Sequence, residues 1–206
     1  MPLTNPAEDL ALLTDMRRGN AAAFEALYRR HQPPLYRFAL LRCGSPETAA
    51  DVVQEIFLAL LSDSLKFDPL RGALQGFLFG VARNLVLKRE EANGRYVPIR
   101  RSDDDQDDED DVTFDPGPQP VERLLANEAA ESVRRALQSL AAHYRDVIIL
   151  YEMHDLSYVE IAHICNIDIG TVRSRLSRAR AKLAELLGAT RNSLNESAMQ
   201  QQEATS

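Results

Sequence analysis

Ser157–Leu183 reads SYVEIAHICNIDIGTVRSRLSRARAKL, and its reading decides the fold. Ser157 and Glu160 stand three residues apart ahead of an apolar run, the spacing at which serine and glutamate each satisfy an orphan amide at a helix start. Ile161, Ala162 and Ile164 follow as the apolar side of that helix. Cys165-Asn166-Ile167 forms a short turn, and Asp168 is a good N-cap for a second helix. Along the second helix Val172, Leu176, Ala179, Leu183 and Leu186 recur on one face. Such a stripe buries against a core. Two capped helices joined by a turn of three or four residues, the second arginine-rich, make the helix-turn-helix pattern. Arg173, Ser174, Arg175, Ser177 and Arg178 lie near the start of the second helix and off its apolar face. A recognition helix presents such positions to the major groove, where arginine bonds two acceptors on guanine or grips phosphate. A solvated basic face of an ordinary bundle would carry the same arginines, but capping box, turn and arginines agree in register, which favours DNA.

Helical signals continue upstream. Pro120 starts a helix with Leu124, Leu125, Val133, Ala136, Leu137 and Leu140 inward, and a short apolar helix spans Arg145–Met153. Nearer the amino terminus, Ser45-Pro46 supplies a cap and a first-turn proline. Ala49, Val52, Val53, Ile56, Phe57 and Leu60 then recur at helical spacing, leaving Asp51, Gln54, Glu55 and Leu58 on the opposite side. After the loop Phe67–Gly72 another helix carries Leu74, Phe77, Leu78, Val81 and Leu85 as its core stripe, with basic residues toward its end. The first segment, Leu10–Arg42, carries Phe24, Leu27, Tyr28, Leu35 and Phe38, with a break expected at Pro33-Pro34. No alternating strand pattern bounded by turns is seen.

The fold class is therefore all-α: two small helical domains, residues 1–94 and 121–187, joined by a flexible acidic linker, residues 95–120. Residues 188–206 form a polar tail expected to fray. The linker holds Asp103–Asp111, DDDQDDEDD, eight acidic residues in nine, followed by proline-rich turn chemistry. Like charges at that density repel and extend a chain. The formal net charge of −7 is thus misleading, because without those eight acids the remainder is +1. Arg83–Arg101 and Ile169–Leu187 each carry +4. Two basic segments flanking an acidic one can meet a polyanion at two places.

Other classes fall away on composition. The longest stretch without a charged residue is Gly72–Ala82, far short of the roughly 18 apolar residues of a spanning helix. No membrane insertion and no secretory signal are expected. Cys43 and Cys165 are too few for a disulfide framework and suit a reducing cytoplasm. Chemistry-bearing candidates are His31, His143, His154, His163 and the two cysteines, and none joins a nucleophile-plus-base motif or a phosphate loop. His163 and Cys165 lack the second pair a zinc site needs. The chain reads as a non-enzyme with no metal, no catalytic residue and no cofactor.

The stretches AAFEALYRRHQPPLYRFAL, SPETAADVVQEIFLALL, FLFGVARNLVLKR and LSYVEIAHICNIDIGTVRSRLSRARAKL, in this order, resemble the extracytoplasmic-function (ECF) sigma factors of bacterial RNA polymerase. The resemblance spans about Leu10–Leu187 and implies a cytoplasmic promoter-specificity subunit. It implies docking of Asp51, Gln54 and Glu55 on the clamp coiled coil of core RNA polymerase. It also implies reading of the -35 duplex by Arg173, Ser174, Arg175, Ser177 and Arg178. The resemblance further implies capture of the melted -10 strand by the loop Lys66–Ala73 and the helix Phe77–Lys88, with Lys66 among the contact residues, Arg83 and Lys88 on phosphate and Asn84 on a base edge. Phe79, off the apolar stripe, is the aromatic candidate there, whereas Phe77 lies on the stripe. An anti-sigma factor is the implied regulatory partner, and promoter DNA the ligand. In the family the linker threads a basic channel of the polymerase, so an acidic strand could act there as a nucleic-acid mimic or serve as a spacer. The chain departs from the family's pattern in lacking a proline soon after Leu140 and a tryptophan at the Phe77 position. An autonomous helix-turn-helix regulator would explain Ser157–Leu187 equally well, but not the exposed Asp51/Gln54/Glu55 face or the second basic helical domain.

Overall fold

The structure is a computed structural model that describes the backbone of residues 6–92 and 121–203, with side-chain surroundings for 6–92 and 130–188. Eight α-helices run in order among the described residues: α1 (Pro6–Arg17), α2 (Ala21–Cys43), α3 (Pro46–Leu61), α4 (Leu74–Ala92), α5 (Val121–Gln138), α6 (Ala142–Glu152), α7 (Tyr158–Cys165) and α8 (Ile169–Glu203). A single 3₁₀ turn, Pro69–Arg71, interrupts the connection between α3 and α4. The acidic linker at 95–120 lies outside the described residues.

Local chemistry sets the helix ends. Asn20 caps α2, its Oδ1 accepting from the amides of Ala22 and Ala23 at 3.0 and 3.2 Å. At the other end Gly44 takes φ 73° and donates its amide to Leu40 O. A left-handed residue closes the helix there without the penalty a Cβ would bring. Ser45 Oγ accepts from Thr48 N at the start of α3, with Pro46 in the first turn. The stripe expected on α3 is the one buried: Ala49, Val52, Val53, Ile56, Phe57 and Leu60.

Two expectations in the first domain are corrected. Helix α2 runs without a break through Pro33 and Pro34. An interior proline costs about 3 kcal/mol in lost hydrogen bonding and ring clash. Leu27, His31, Leu35 and Phe38 are all buried on one side of the helix, on both sides of the proline pair in sequence, so packing holds the segment as one rod. The core stripe of α4 is also turned from the expected one. Leu74, Leu78, Phe79, Ala82 and Val86 are buried, while Phe77, Val81 and Leu85 are only partly covered.

In the second domain α6 begins at Ala142, three residues ahead of the expected Arg145, and Ala141 as N-cap offers no side-chain bond. The capping box of α7 is present: Ser157 Oγ accepts from Glu160 N at 3.3 Å, and Ser157 N donates to Glu160 Oε2 at 2.8 Å. Asn166 ends α7 in the left-handed region, φ 54° and ψ 52°. Asparagine tolerates that conformation better than most residues. Val172, Leu176 and Ala179 of α8 are buried as expected. Helix α8 continues to Glu203, where a fraying tail was expected after Gly188.

The two halves do not stand apart. α2 packs on α5 and α6, and α4 packs on α7, so buried residues of both halves form one contiguous core. Among the described residues no helix is long and apolar enough to cross a membrane.

Candidate polymerase and nucleic-acid interfaces

The α3 surface is the simplest to build. Its buried stripe turns Asp51, Gln54 and Glu55 outward, and all three are exposed. Glu55 is engaged by Arg89 of α4 at 2.8 Å, so part of this acidic face is held in place. Beside it lies a groove of about 400 Å³ between α2 and α3, with Phe24, Tyr28, Phe57, Leu58 and Leu61 among its walls. Leu58 and Leu61 are 56% and 52% exposed, and they extend the apolar surface of that groove. Leu58 was visible in the sequence as an apolar residue among Asp51, Gln54 and Glu55. The aromatic wall from α2 was not, because it comes from a different helix.

The helix-turn-helix presents its second helix as expected. With Val172, Leu176 and Ala179 facing the core, Arg173, Ser174, Ser177 and Arg178 are exposed and Arg175 is half-buried. Ser174 Oγ donates to Thr171 O at 3.0 Å. One turn further on, Arg180 pairs with Glu152 of α6 at 2.7 Å and lies 5.0 Å over the Tyr151 ring. That cation fastens α8 to α6, so the basic stretch divides into outward and anchoring arginines. Cys165, at the end of α7, is buried, and burial, aided by the Asp146 charge, pushes its thiol up to about 12. Among the described residues no group of three His, Cys, Asp or Glu side chains is placed to hold a metal.

The five residues expected at the -10 strand part company. Asn84 and Lys88 are exposed one turn apart on α4. Lys66 is exposed on the loop after α3 and pairs with Asp63 at 3.0 Å. Phe79 is a correction: it is fully buried, its ring 5.5 Å from Phe38 and 4.6 Å from His154, and it serves packing rather than a base platform. Arg83 is neither core nor free surface, because its Nε donates to Asp146 Oδ2 of α6 at 2.6 Å. The loop also carries an apolar side chain that the sequence did not single out, Leu70, 94% exposed on the 3₁₀ turn. Asp68 shapes that turn by accepting from Leu70 N at 3.0 Å.

Arg83 belongs to a larger charge cluster where the halves meet. Arg42, 0% exposed, donates from both terminal nitrogens to Glu90 at 2.5 and 2.9 Å and from Nε to Asp146. Burial alone would push the Arg42 guanidinium toward losing its proton. Asp146 and Glu90 outweigh burial and hold it above the ordinary arginine range. Arg145 joins from α6, bonding Arg42 O and Gln138 Oε1 at 2.8 Å each. Burial, with Arg42 adding to it, lowers the Arg145 guanidinium to about 10, which leaves it charged at neutral pH.

Comparison with known proteins follows this division of the chain. Residues 27–96 match Sigma-70 region 2 and residues 130–183 match Sigma-70, region 4. The chain is 34% identical over 155 residues to the ECF RNA polymerase sigma factor EcfG of Rhodopseudomonas palustris, covering 75% of this chain and 80% of that one. It is 30% identical to the ECF RNA polymerase sigma factor SigE of Mycolicibacterium smegmatis, over 80% of this chain and 62% of the relative, so it spans under two thirds of that relative's length. Among solved structures, the sigma factor RpoE in complex with the anti-sigma factor NepR from Bartonella quintana superposes with a TM-score of 0.57. That match is at 28% identity and covers 80% of this chain and 96% of that one. Two sigma-70 regions in this order and 34% identity to EcfG over three quarters of the chain lead to one conclusion: the chain belongs to the ECF sigma factors of RNA polymerase.

Proposed function

We propose that this sigma factor docks on core RNA polymerase through the α3 face of Asp51, Gln54 and Glu55 and the apolar groove beside it. Its second domain then reads the -35 duplex with Arg173, Ser174, Arg175, Ser177 and Arg178. Lys66, Arg83, Asn84 and Lys88 engage the melted -10 strand, the lysines and arginine on phosphate and Asn84 on a base edge. Single-strand capture needs cations for the backbone and polar groups for base edges, and α4 carries both. The observation that carries the reading is the outward register of the recognition helix: its apolar residues are buried and four of its five candidate readers are exposed.

The site of action is the cytoplasm, where polymerase and chromosome meet, and the chain itself carries no catalytic step. An anti-sigma factor is the fitting regulatory partner. The Bartonella relative is held by one, and this chain offers the exposed apolar groove on α2 and α3 that such a partner could cover.

The test is transcription in vitro by purified core polymerase on fragmented genomic DNA of the source organism, with and without the protein. Discrete new start sites that appear only with the protein are expected, and alignment of their upstream sequences supplies the two elements. No new transcripts, together with tight duplex binding by the protein alone, would favour an autonomous helix-turn-helix regulator instead.

A further inference from the structure

Helix α1 fastens the root of the loop that carries Lys66. It lies ahead of the residues that match region 2, which begin at 27. Leu13 and Met16 bury its apolar side, and near its start the buried Asp9 accepts from Arg30 of α2 at 2.7 Å. At its other end Arg17 reaches the segment that leaves α3, where its Nη2 lies 2.8 Å from Asp63 Oδ1. The second oxygen of the same carboxylate, Oδ2, accepts from Lys66 Nζ at 3.0 Å. One acid thus stands between a cation anchored on the packed body of the domain and a cation at the start of the loop.

The backbone at Asp63 suits this place. It takes φ 51° just after the Ser62 C-cap of α3, and its amide donates to Leu60 O. Aspartate and asparagine enter that left-handed region more readily than most side chains. The Lys66 hydrogen bond, with Arg17 adding its charge against a smaller effect of burial, holds the Asp63 carboxyl below the ordinary 3.8, so it is ionised at neutral pH. Lys66 is 79% exposed and Arg17 only 37%, so Arg17 is the steadier of the two partners. A pair as open as Lys66–Asp63 is weak and screened by salt. It breaks readily, and the ammonium that leaves is a compact point charge suited to a phosphate. A bare carboxylate left beside that phosphate would repel it. Arg17 removes the repulsion, because two cations, one carboxylate and one phosphate form two pairs with no charge left over.

We propose that Asp63 is a positioning residue for the -10 strand: it steers Lys66 in the free protein and yields it to a strand phosphate, while Arg17 of α1 stays on the acid and keeps it neutralised. The proposal rests on the assignment of Lys66 to the melted -10 strand. Helix α1 then acts on promoter binding through Asp63 without touching DNA.

The test titrates holoenzyme against a dye-labelled single strand that carries the -10 element of a start site mapped in the transcription experiment, over a range of salt. Lys66→Gln should weaken binding and lower the slope of log K against log salt by about 0.7, the share of one single-strand phosphate. Asp63→Asn keeps the backbone turn, frees Lys66 from competition and should tighten binding about two- to fivefold. Arg17→Gln leaves the acid with Lys66 as its one cation and should weaken binding by a similar factor, whereas Arg17→Lys should bind like wild type. The double variants decide. In the Asp63→Asn background Arg17→Gln should change nothing, and in the Lys66→Gln background Asp63→Asn should change nothing. Equal weakening by Arg17→Gln with and without the acid would overturn the proposal, because Arg17 would then hold the strand itself. Tightening by Asp63→Asn in the absence of Lys66 would overturn it too, since the acid would then act by repulsion alone. Should Arg17→Gln loosen α1, seen as a lower melting temperature, the Lys66 and Asp63 variants decide by themselves. Either overturning result, with Lys66→Gln still weakening binding, discards the exchange and keeps Lys66 as a reader. Unchanged binding by Lys66→Gln strikes the reading of the loop, and an absence of start sites strikes the promoter assignment with it.

Discussion

Arg42 looks, in the sequence, like one more cation near a helix end. Its partners Glu90 and Asp146 lie 48 and 104 residues away, so no local pattern marks it as a fully buried charge. Phe79 misleads in the opposite sense: helical spacing puts it beside the expected stripe, but the true stripe of α4 is turned toward it, and Phe38 and His154 close over it. By contrast, Asp51, Gln54 and Glu55 were legible, because a single regular stripe on α3 dictates what faces outward. His154 yields a prediction at this scale. Burial, reinforced by Arg37 and opposed by Asp155, lowers its imidazole to about 4 from an ordinary 6.5. The folded protein therefore holds it neutral while the unfolded chain takes up a proton. Stability from this group is fully present above pH ~6.5 and is lost as pH falls toward ~4, by up to about 3 kcal/mol. Asp9 acts lower on the scale. Burial would raise its carboxyl, but the His31 ring 3.1 Å away and the hydrogen bond from Arg30 prevail and keep it below the usual 3.8, so its contribution fades only beneath that pH. Thermal unfolding from pH 7 to pH 4 should show a fall in melting temperature that His154→Phe flattens. Parallel curves for the two proteins would mean that the fold lets His154 take up its proton as readily as the unfolded chain does.

Helices were read well where their ends carry chemistry of their own. Ser45-Pro46, Ser157/Glu160 and the turn at Asn166 each satisfy backbone groups within a few residues, which is why α3, α7 and the start of α8 were placed correctly. Where tertiary packing overrides local preference the reading failed, as at Pro33-Pro34, which the buried face of α2 carries through. The start of α6 failed for the opposite reason, since Ala141 gives no cap signal. The recognition helix now permits a finer statement. If Arg173 and Arg178 grip phosphates, each replacement by alanine should weaken holoenzyme binding to all promoters alike and lower the slope of log K against log salt by about 0.9. If either reads a guanine edge, its loss should relax sequence preference at one position by about 1–3 kcal/mol while the slope changes little. We expect the phosphate outcome for Arg178, further into the helix, and base reading for Arg173 near its start, where recognition helices meet base edges. Salt titration of holoenzyme on a promoter and on single-base variants of it separates the two.

At the scale of the molecule, composition and periodicity divided the chain correctly into two helical halves, but nothing in them announced that the halves close on each other. Closure depends on contacts between residues far apart in sequence, through charged groups that composition counts as surface. The segment 93–120 joins the halves with 28 residues, which at ~3.3 Å each can reach about 90 Å when fully extended. That length matches the ~85 Å between promoter elements far better than it matches the packed molecule. Reach and charge make different demands on it. Deleting residues 99–116 leaves ten residues, about 33 Å of chain, and should abolish promoter-directed transcription even though both domains still fold. Replacing the eight acids of Asp103–Asp111 with Ser and Asn keeps the length, and full-length transcript should then persist. If instead the substituted protein loses polymerase affinity or changes its output of abortive RNA, the acidic run is acting as a nucleic-acid mimic in the polymerase channel. A deletion that transcribes normally would show that the two readers never separate as far as the element spacing requires.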